Sequence, residues 1–82
     1  MGIAIKFGKI LFELRAASGL SQQKLADDSD LERTFISLLE RGKRQPTITT
    51  LFNLSKALGI SPHELVLRIE TEMAIENTKK SG

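Results

Sequence analysis

The chain has 82 residues, a net charge of +2, 40% hydrophobic residues and no cysteine. This length fits one small domain, and without cysteine neither a disulfide framework nor a thiolate metal site can form. No run of about 18 apolar residues occurs to span a membrane, and the charged N-terminus does not resemble a signal peptide. We therefore expect a cytoplasmic domain with no cofactor. Its thin core would gain from burial between two subunits.

Hydrophobic periodicity predicts five helices and no strand. The first helix runs from about Lys6 to Ser18, and Gly19 ends it because glycine adopts a positive φ easily. Its apolar positions recur at a spacing that places them on one face, and they are Phe7, Ile10, Leu11 and Leu14.

The second and third helices are short and closely spaced. The second begins after Ser21, a favourable N-cap, and Asp30 occupies the turn because aspartate tolerates the left-handed conformation. The third starts near Leu31 or Glu32 and ends at Arg41, before Gly42. Its apolar face consists of Leu31, Phe35 or Ile36, and Leu39. Spacing alone leaves two interpretations open, a DNA-binding helix-turn-helix and a plain hairpin of two helices.

The fourth and fifth helices have clear start signals. Thr47 is the expected N-cap of the fourth, Gly59 ends it, and its apolar stripe is Ile48, Leu51, Leu54, Ala57 and Leu58. The fifth starts with a capping box that has proline at the first helical position, Ser61-Pro62-His63-Glu64. These signals predict one domain over residues 1–76, followed by a disordered polar tail over residues 77–82.

Three stretches, read in combination, resemble the Xre/Cro (phage-repressor-like) helix-turn-helix family. They are LSQQKLA at Leu20–Ala26, RTFIS at Arg33–Ser37 and LERGKR at Leu39–Arg44, and the likeness extends over roughly residues 7 to 66. The resemblance implies an all-α fold, a compact five-helix bundle of the lambda-repressor-like type. The segment Leu31–Ser37 is also similar to the controller proteins of restriction–modification systems, and phage repressors and antitoxins remain alternatives.

The resemblance implies a set of DNA contacts. Gln22 follows the N-cap of the second helix, where the positive end of the helix dipole suits a phosphate. The third helix would enter the major groove, and its arginine can bond a guanine in a bidentate way. The candidate base readers are Glu32, Arg33, Thr34, Ser37 and Leu38, and the candidate phosphate contacts after them are Arg41, Lys43 and Arg44.

Several residues allow two interpretations. Phe35 either fills the core behind the third helix or lies against the DNA backbone. Glu40 is expected to be structural, paired with a nearby cation or backbone N–H. The acidic group formed by Asp27, Asp28 and Asp30 is expected to be a solvated helix end, and the alternative is a patch that touches RNA polymerase.

The fifth helix predicts a homodimer. Its apolar stripe continues beyond the point where the family fold is complete, and such a stripe should be covered by a second surface. We expect that surface to be the same helix of a second subunit, with an interface formed by Leu65, Val66, Ile69 and Met73. The alternative is that the stripe packs back onto the first helix.

The function predicted from the sequence is sequence-specific binding of a pseudo-palindromic DNA operator by a homodimeric transcriptional regulator. The alternative from another class is a protein-interaction adaptor that keeps the helix-turn-helix fold. No catalytic function is expected, since His63, the single histidine, is placed at the exposed start of the fifth helix.

Overall fold

The computed structural model describes the backbone of residues 2–81 and the side chains of residues 2–75. Its helices are α1 (Ile3–Ala17), α2 (Gln22–Ser29), α3 (Arg33–Glu40), α4 (Ile48–Leu58) and α5 (Pro62–Ser81). Residues 2–81 contain no strand, and the all-α five-helix fold predicted from periodicity is confirmed.

Most helix ends follow the predicted local signals. The Ser21 Oγ accepts a hydrogen bond from the backbone N–H of Lys24 at 3.0 Å, and the Thr47 Oγ1 does the same for Thr50 at 3.1 Å. Asp30 adopts the left-handed conformation with φ of 59°. The start of α1 differs from the prediction, because the helix begins at Ile3 after an extended Gly2. The helix therefore includes residues that precede the apolar face from which its start was predicted.

One core joins all five helices. Helix α1 packs against α3 and α5, α2 packs against α3 and α4, and α4 packs against α5. Two serines are also buried, but each donates its hydroxyl to the carbonyl four residues earlier and so has a partner. The buried hydrophobic side chains are Phe7, Ile10, Leu11, Leu25, Ala26, Ile36, Leu39, Leu51, Leu54, Leu65 and Ile69.

Helix α1 comes unusually close to the end of α3. A Cβ atom added at Gly8 would lie 2.7 Å from the carbonyl oxygen of Glu40 and closer still to that of Leu39. A Cβ atom at Gly42, which has φ of 72°, would lie 2.9 Å from the Cγ1 of Ile5. Because neither glycine has room for a side chain, α1 lies directly against the C-terminal end of α3 and the turn that follows, and it fixes their position.

The structure corrects the predicted interface on α5. Leu65 and Ile69 are 0% and 9% exposed and belong to the chain's own core, so they offer no surface to a second subunit. The physical reason is that α5 packs along α1, where an ion pair of 2.7 Å joins Lys9 to Glu72. Met73 packs partly against the same core. The alternative, in which the stripe packs back within the subunit, is correct for Leu65 and Ile69.

One further prediction changes. Ile48 is 73% exposed instead of part of the buried α4 stripe, since it occupies the first position of the helix. The backbone of α5 is helical to Ser81. The side chains of residues 76–82, which include the predicted tail at 77–82, lie outside the described residues.

Candidate nucleic-acid interface

Helices α2 and α3 are joined by a tight turn. Asp30 supplies the left-handed residue, and the backbone N–H of Leu31 donates to the carbonyl of Ala26 at 2.9 Å. Ile36 and Leu39 bury the inner face of α3 in the core. The opposite face of α3 is therefore turned to solvent. An α-helix of eight residues is about 12 Å long, which matches the width of the DNA major groove.

The predicted base readers lie together on and beside this outer face. The first three are exposed at the start of α3, and the last two are half-buried further along it. Phosphate and base contacts need exposed donors and acceptors close to one helix end, and this arrangement provides them. The five residues are Glu32, Arg33, Thr34, Ser37 and Leu38.

The three predicted phosphate contacts follow directly after α3 and are all exposed. The chain reverses at Gly42, and the backbone N–H of Lys43 donates to the carbonyl of Leu38 at 2.9 Å. The Arg41 guanidinium lies 3.4 Å from the Ser37 carbonyl, within its own helical turn. The basic turn is thus held beside α3 by backbone hydrogen bonds. Its cations are Arg41, Lys43 and Arg44.

Gln22 connects α2 to both ends of α3. Its Nε2 donates to the Glu40 Oε1 at 3.0 Å, and its Oε1 accepts from the Arg33 Nη1 at 3.3 Å. The candidate phosphate clamp and the candidate guanine reader are consequently in direct contact in the free protein.

Glu40 is fixed in turn by α1. The Arg15 Nε donates to its Oε2 at 2.5 Å, and the Arg15 Nη2 donates to its Oε1 at 3.0 Å. A third bond joins the Arg15 Nη1 to the carbonyl of Leu20 at 2.8 Å. The two side chains are only 14% and 5% exposed, and the hydrogen bond that Arg15 donates to Glu40 raises the pKa of Arg15 above its usual value. The predicted structural role of Glu40 is confirmed, with Arg15 as its cation.

Phe35 packs against the core, as the first of its two predicted interpretations states. Its ring is half-buried. The Arg44 guanidinium lies over it, 5.9 Å from the ring centroid, at a distance that allows a cation–π interaction. The ring therefore keeps one of the basic side chains close to α3.

A family model described as Helix-turn-helix matches residues 11–65. The match includes α2, α3 and α4 together with every residue predicted to contact DNA. The chain belongs to the helix-turn-helix family. This membership confirms the resemblance inferred from the three sequence stretches.

Helix-turn-helix relatives include several control proteins. C.BamHI of Bacillus amyloliquefaciens is 42% identical over 65 residues, which cover 78% of this chain and 80% of the relative. C.MunI of a Mycoplasma species is 42% identical over 71 residues, which cover 85% of this chain and 96% of the relative. The crystal structure of the restriction–modification controller protein C.AhdI from Aeromonas hydrophila matches with 45% identity and a TM-score of 0.73, covering 76% of this chain and 94% of that one. The predicted similarity to controller proteins is confirmed.

The helix-turn-helix chain carries a second exposed surface that the sequence analysis did not identify. Four large apolar side chains lie exposed on α4 and α5, with exposed fractions of 73% for Ile48, 55% for Phe52, 47% for Val66 and 54% for Leu67. Together with Pro62 they border a shallow groove of about 510 Å³. We call these five residues the α4–α5 surface. Val66 is the one member of it that the predicted interface contained.

The sequence analysis predicted the structural role of Glu40 but missed its partner Arg15, although the sequence contains a signal for that pair. Arg15 continues the buried Phe7–Leu11 row at a spacing of four residues, and Glu40 continues the α3 row four residues after Ile36. A charged residue in line with a buried helical row needs a buried partner. Because Arg15 and Glu40 have opposite charges, this pattern predicts an ion pair between them.

Two classes of site receive no support from the described part of the chain. Within it, no group of histidine and carboxylate side chains could hold a metal ion. Nor is any helix there long and apolar enough to cross a membrane.

Proposed function

We propose that this helix-turn-helix protein is a cytoplasmic transcriptional regulator that binds a pseudo-palindromic DNA operator as a homodimer. Its similarity to named control proteins favours the role of a restriction–modification controller. The observation that carries the proposal is the exposed start of α3, where Arg33 lies in contact with Gln22 at the start of α2.

The recognition step follows from this arrangement. The free backbone N–H groups and the dipole at the start of α2 attract a phosphate, and Gln22 stands at that first position. With α2 fixed on the backbone, α3 enters the major groove from its N-terminus. Arg33 then offers two parallel N–H donors to a guanine, and the methyl groups of Thr34 and Leu38 are available to thymine methyls.

Backbone affinity comes from the basic turn after α3. Arg41, Lys43 and Arg44 are exposed there, and each phosphate that such a cation neutralises releases counterions from the DNA. The three cations contribute affinity for any duplex, and the α3 side chains contribute the preference for one sequence.

Dimerisation is assigned to the α4–α5 surface in place of the buried residues of α5. A contiguous exposed apolar patch on a small soluble protein marks an interaction site. A two-fold axis through this patch would make it self-complementary. The axis would also allow the two copies of α3 to bind half-sites about one helical turn apart, roughly 34 Å.

Binding measurements test the proposal directly. Duplexes selected from a random pool by the wild-type protein should share two inverted half-sites whose centres are about 10 bp apart or a multiple of it. Arg33→Ala should weaken binding to the selected duplex by about 1–3 kcal/mol and relax its base preference. Selection of a single asymmetric half-site would contradict the dimer. Binding that is insensitive to salt would favour the adaptor function instead.

Contact with RNA polymerase is a separate hypothesis. The Asp27 carboxylate accepts from Gln23 at 2.9 Å and Asp28 pairs with Lys24 at 3.1 Å, so both have partners within α2 itself. These local partners favour the interpretation of the acidic group as a solvated helix end. In transcription from an operator-containing template, Asp30→Asn that loses activation at unchanged operator affinity would support a polymerase contact.

A further inference from the structure

We propose that Glu40 is a positioning residue for sequence recognition, because its carboxylate sets the orientation of the Gln22 amide and thereby holds Arg33 for base reading. Glu40 itself is almost fully buried and would not touch DNA. The proposal rests on the proposed DNA-binding function and adds a residue that determines specificity through two others.

The chemistry of the groups allows one orientation of the amide. An ionised carboxylate only accepts hydrogen bonds, and a guanidinium only donates them. The amide edge that faces Glu40 must therefore be Nε2, at 3.0 Å, and the edge that faces Arg33 must be Oε1, at 3.3 Å. A flipped Gln22 amide would place two acceptors together at one contact and two donors together at the other.

The orientation of Glu40 is fixed from the opposite side. Arg15 donates two N–H groups to it, and the contact at Gly8 holds the backbone of the same residue against α1. Since the pKa of Arg15 is raised by this hydrogen bond, its guanidinium stays charged. A rigid series of contacts thus runs from α1 through Glu40 and Gln22 to Arg33.

This series has a consequence for binding. A guanidinium has five N–H donors, and the bond to Gln22 uses one of them. The remaining donors of Arg33 include a pair suitable for a guanine edge. Holding the side chain in advance reduces the conformational entropy that must be lost when it binds. The gain appears in discrimination between sequences, whereas phosphate contacts are unaffected.

The test uses Glu40→Met, which keeps the length of the side chain but removes the acceptor that both the Arg15 Nη2 and the Gln22 Nε2 use. The Gln22 amide then loses the contact that fixes its orientation toward Arg33. We expect about a tenfold loss of discrimination between the selected duplex and the same duplex with the guanine pair replaced. The slope of affinity against salt concentration should not change.

Arg15→Lys is the matched control. It weakens the same buried ion pair and lowers stability, but it leaves the carboxylate facing Gln22. When binding is measured well below the unfolding temperature of both variants, Arg15→Lys should discriminate between the two duplexes as well as wild type does. Equal losses in the two variants would mean that the ion pair acts only through stability, and the proposal would be overturned.

A second variant and a second readout keep the test independent of folding and of DNA. Gln22→Met leaves Arg15 and Glu40 paired, and it should lose discrimination to the same extent in addition to general affinity. Full discrimination in this variant would refute the proposal.

In the free wild-type protein, nuclear Overhauser contacts should place the Gln22 amide protons beside Glu40, and contacts to the Arg33 guanidinium instead would refute it. If no duplex binds, the proposed function fails while this last measurement still decides the amide orientation.

Discussion

Phe52→Asp should convert the proposed homodimer to a folded monomer. Phe52 lies at the α4–α5 surface with 55% of its area exposed, so a polar replacement leaves the core of the subunit intact. Ile69 shows the contrast, since it is 9% exposed and an aspartate there would unfold the chain instead of separating subunits.

The size of the effect follows from the exposed fractions. Complete burial of a large apolar side chain is worth about 1.5–3 kcal/mol, and the four large side chains of the α4–α5 surface are each about half exposed or more. Covering them contributes roughly 3–6 kcal/mol per subunit, against a cost of association of about 4–15 kcal/mol. Replacing Phe52 in both subunits removes about 2–3 kcal/mol, which raises the dimer dissociation constant roughly 30- to 150-fold.

Sedimentation velocity over a range of concentrations measures the dissociation constant, and circular dichroism checks the helix content. Phe12→Asp is the matched control, because Phe12 is 51% exposed but lies on α1, outside the α4–α5 surface. The control should remain dimeric. The reasoning would be refuted if Phe52→Asp stayed dimeric, or if Phe12→Asp dissociated equally.

Three further predictions concern the basic turn after α3, the contact between α1 and the end of α3, and the ion pair between α1 and α5. Lys43→Ala combined with Arg44→Ala should weaken binding to every duplex alike and flatten the salt slope by up to about two units, and an unchanged slope would show that the basic turn does not meet phosphates. Gly8→Ala should lower the unfolding free energy by about 1–3 kcal/mol in denaturant titrations, because a Cβ there meets the carbonyl oxygens at the end of α3. The pKa of Lys9 is raised above 10.5 by its glutamate partner, so its stabilisation is complete below that pH and is lost as pH rises through the raised value. As the pH rises above about 10.5, the unfolding temperature of wild type should therefore fall more than that of Lys9→Met.

The parts of the fold that sequence predicts are those set by local chemistry. Ser21 and Thr47 cap their helices with their own hydroxyls, and Gly59 adopts φ of 75° where a stop was expected. The turn at Asp30 and the grouping of the residues predicted to contact DNA follow from the same short-range signals. These interactions span three or four residues, so a single sequence contains all the information that they need.

What sequence does not predict is which surface covers an apolar stripe. The four-residue repeat of Leu65 and Ile69 shows that α5 is covered on one side, but the pattern is the same whether α1 or a second subunit covers it. The structure shows that α1 does so. The contact from Arg15 to Glu40 spans 25 positions, and it depends on the close approach of two helices at Gly8. Tertiary packing determines which surfaces cover each other and which distant side chains pair, and a single sequence does not show it.

The connection between α3 and α4 couples the proposed dimer to the DNA contacts. Arg44 is separated from Ile48 by Gln45, Pro46 and Thr47, and this segment is stiff because proline fixes one φ angle and Thr47 caps α4. A dimer joined at Ile48 therefore fixes the distance between the basic turns of its two subunits. The Phe52→Asp monomer keeps all the contacts of one subunit, so it should bind an isolated half-site as wild-type monomer does. It should lose the gain in affinity that wild type shows on the full operator, because that gain comes from joining the two half-sites. Equal losses on the half-site and the full operator would show that Phe52 supports α3 itself and not the dimer.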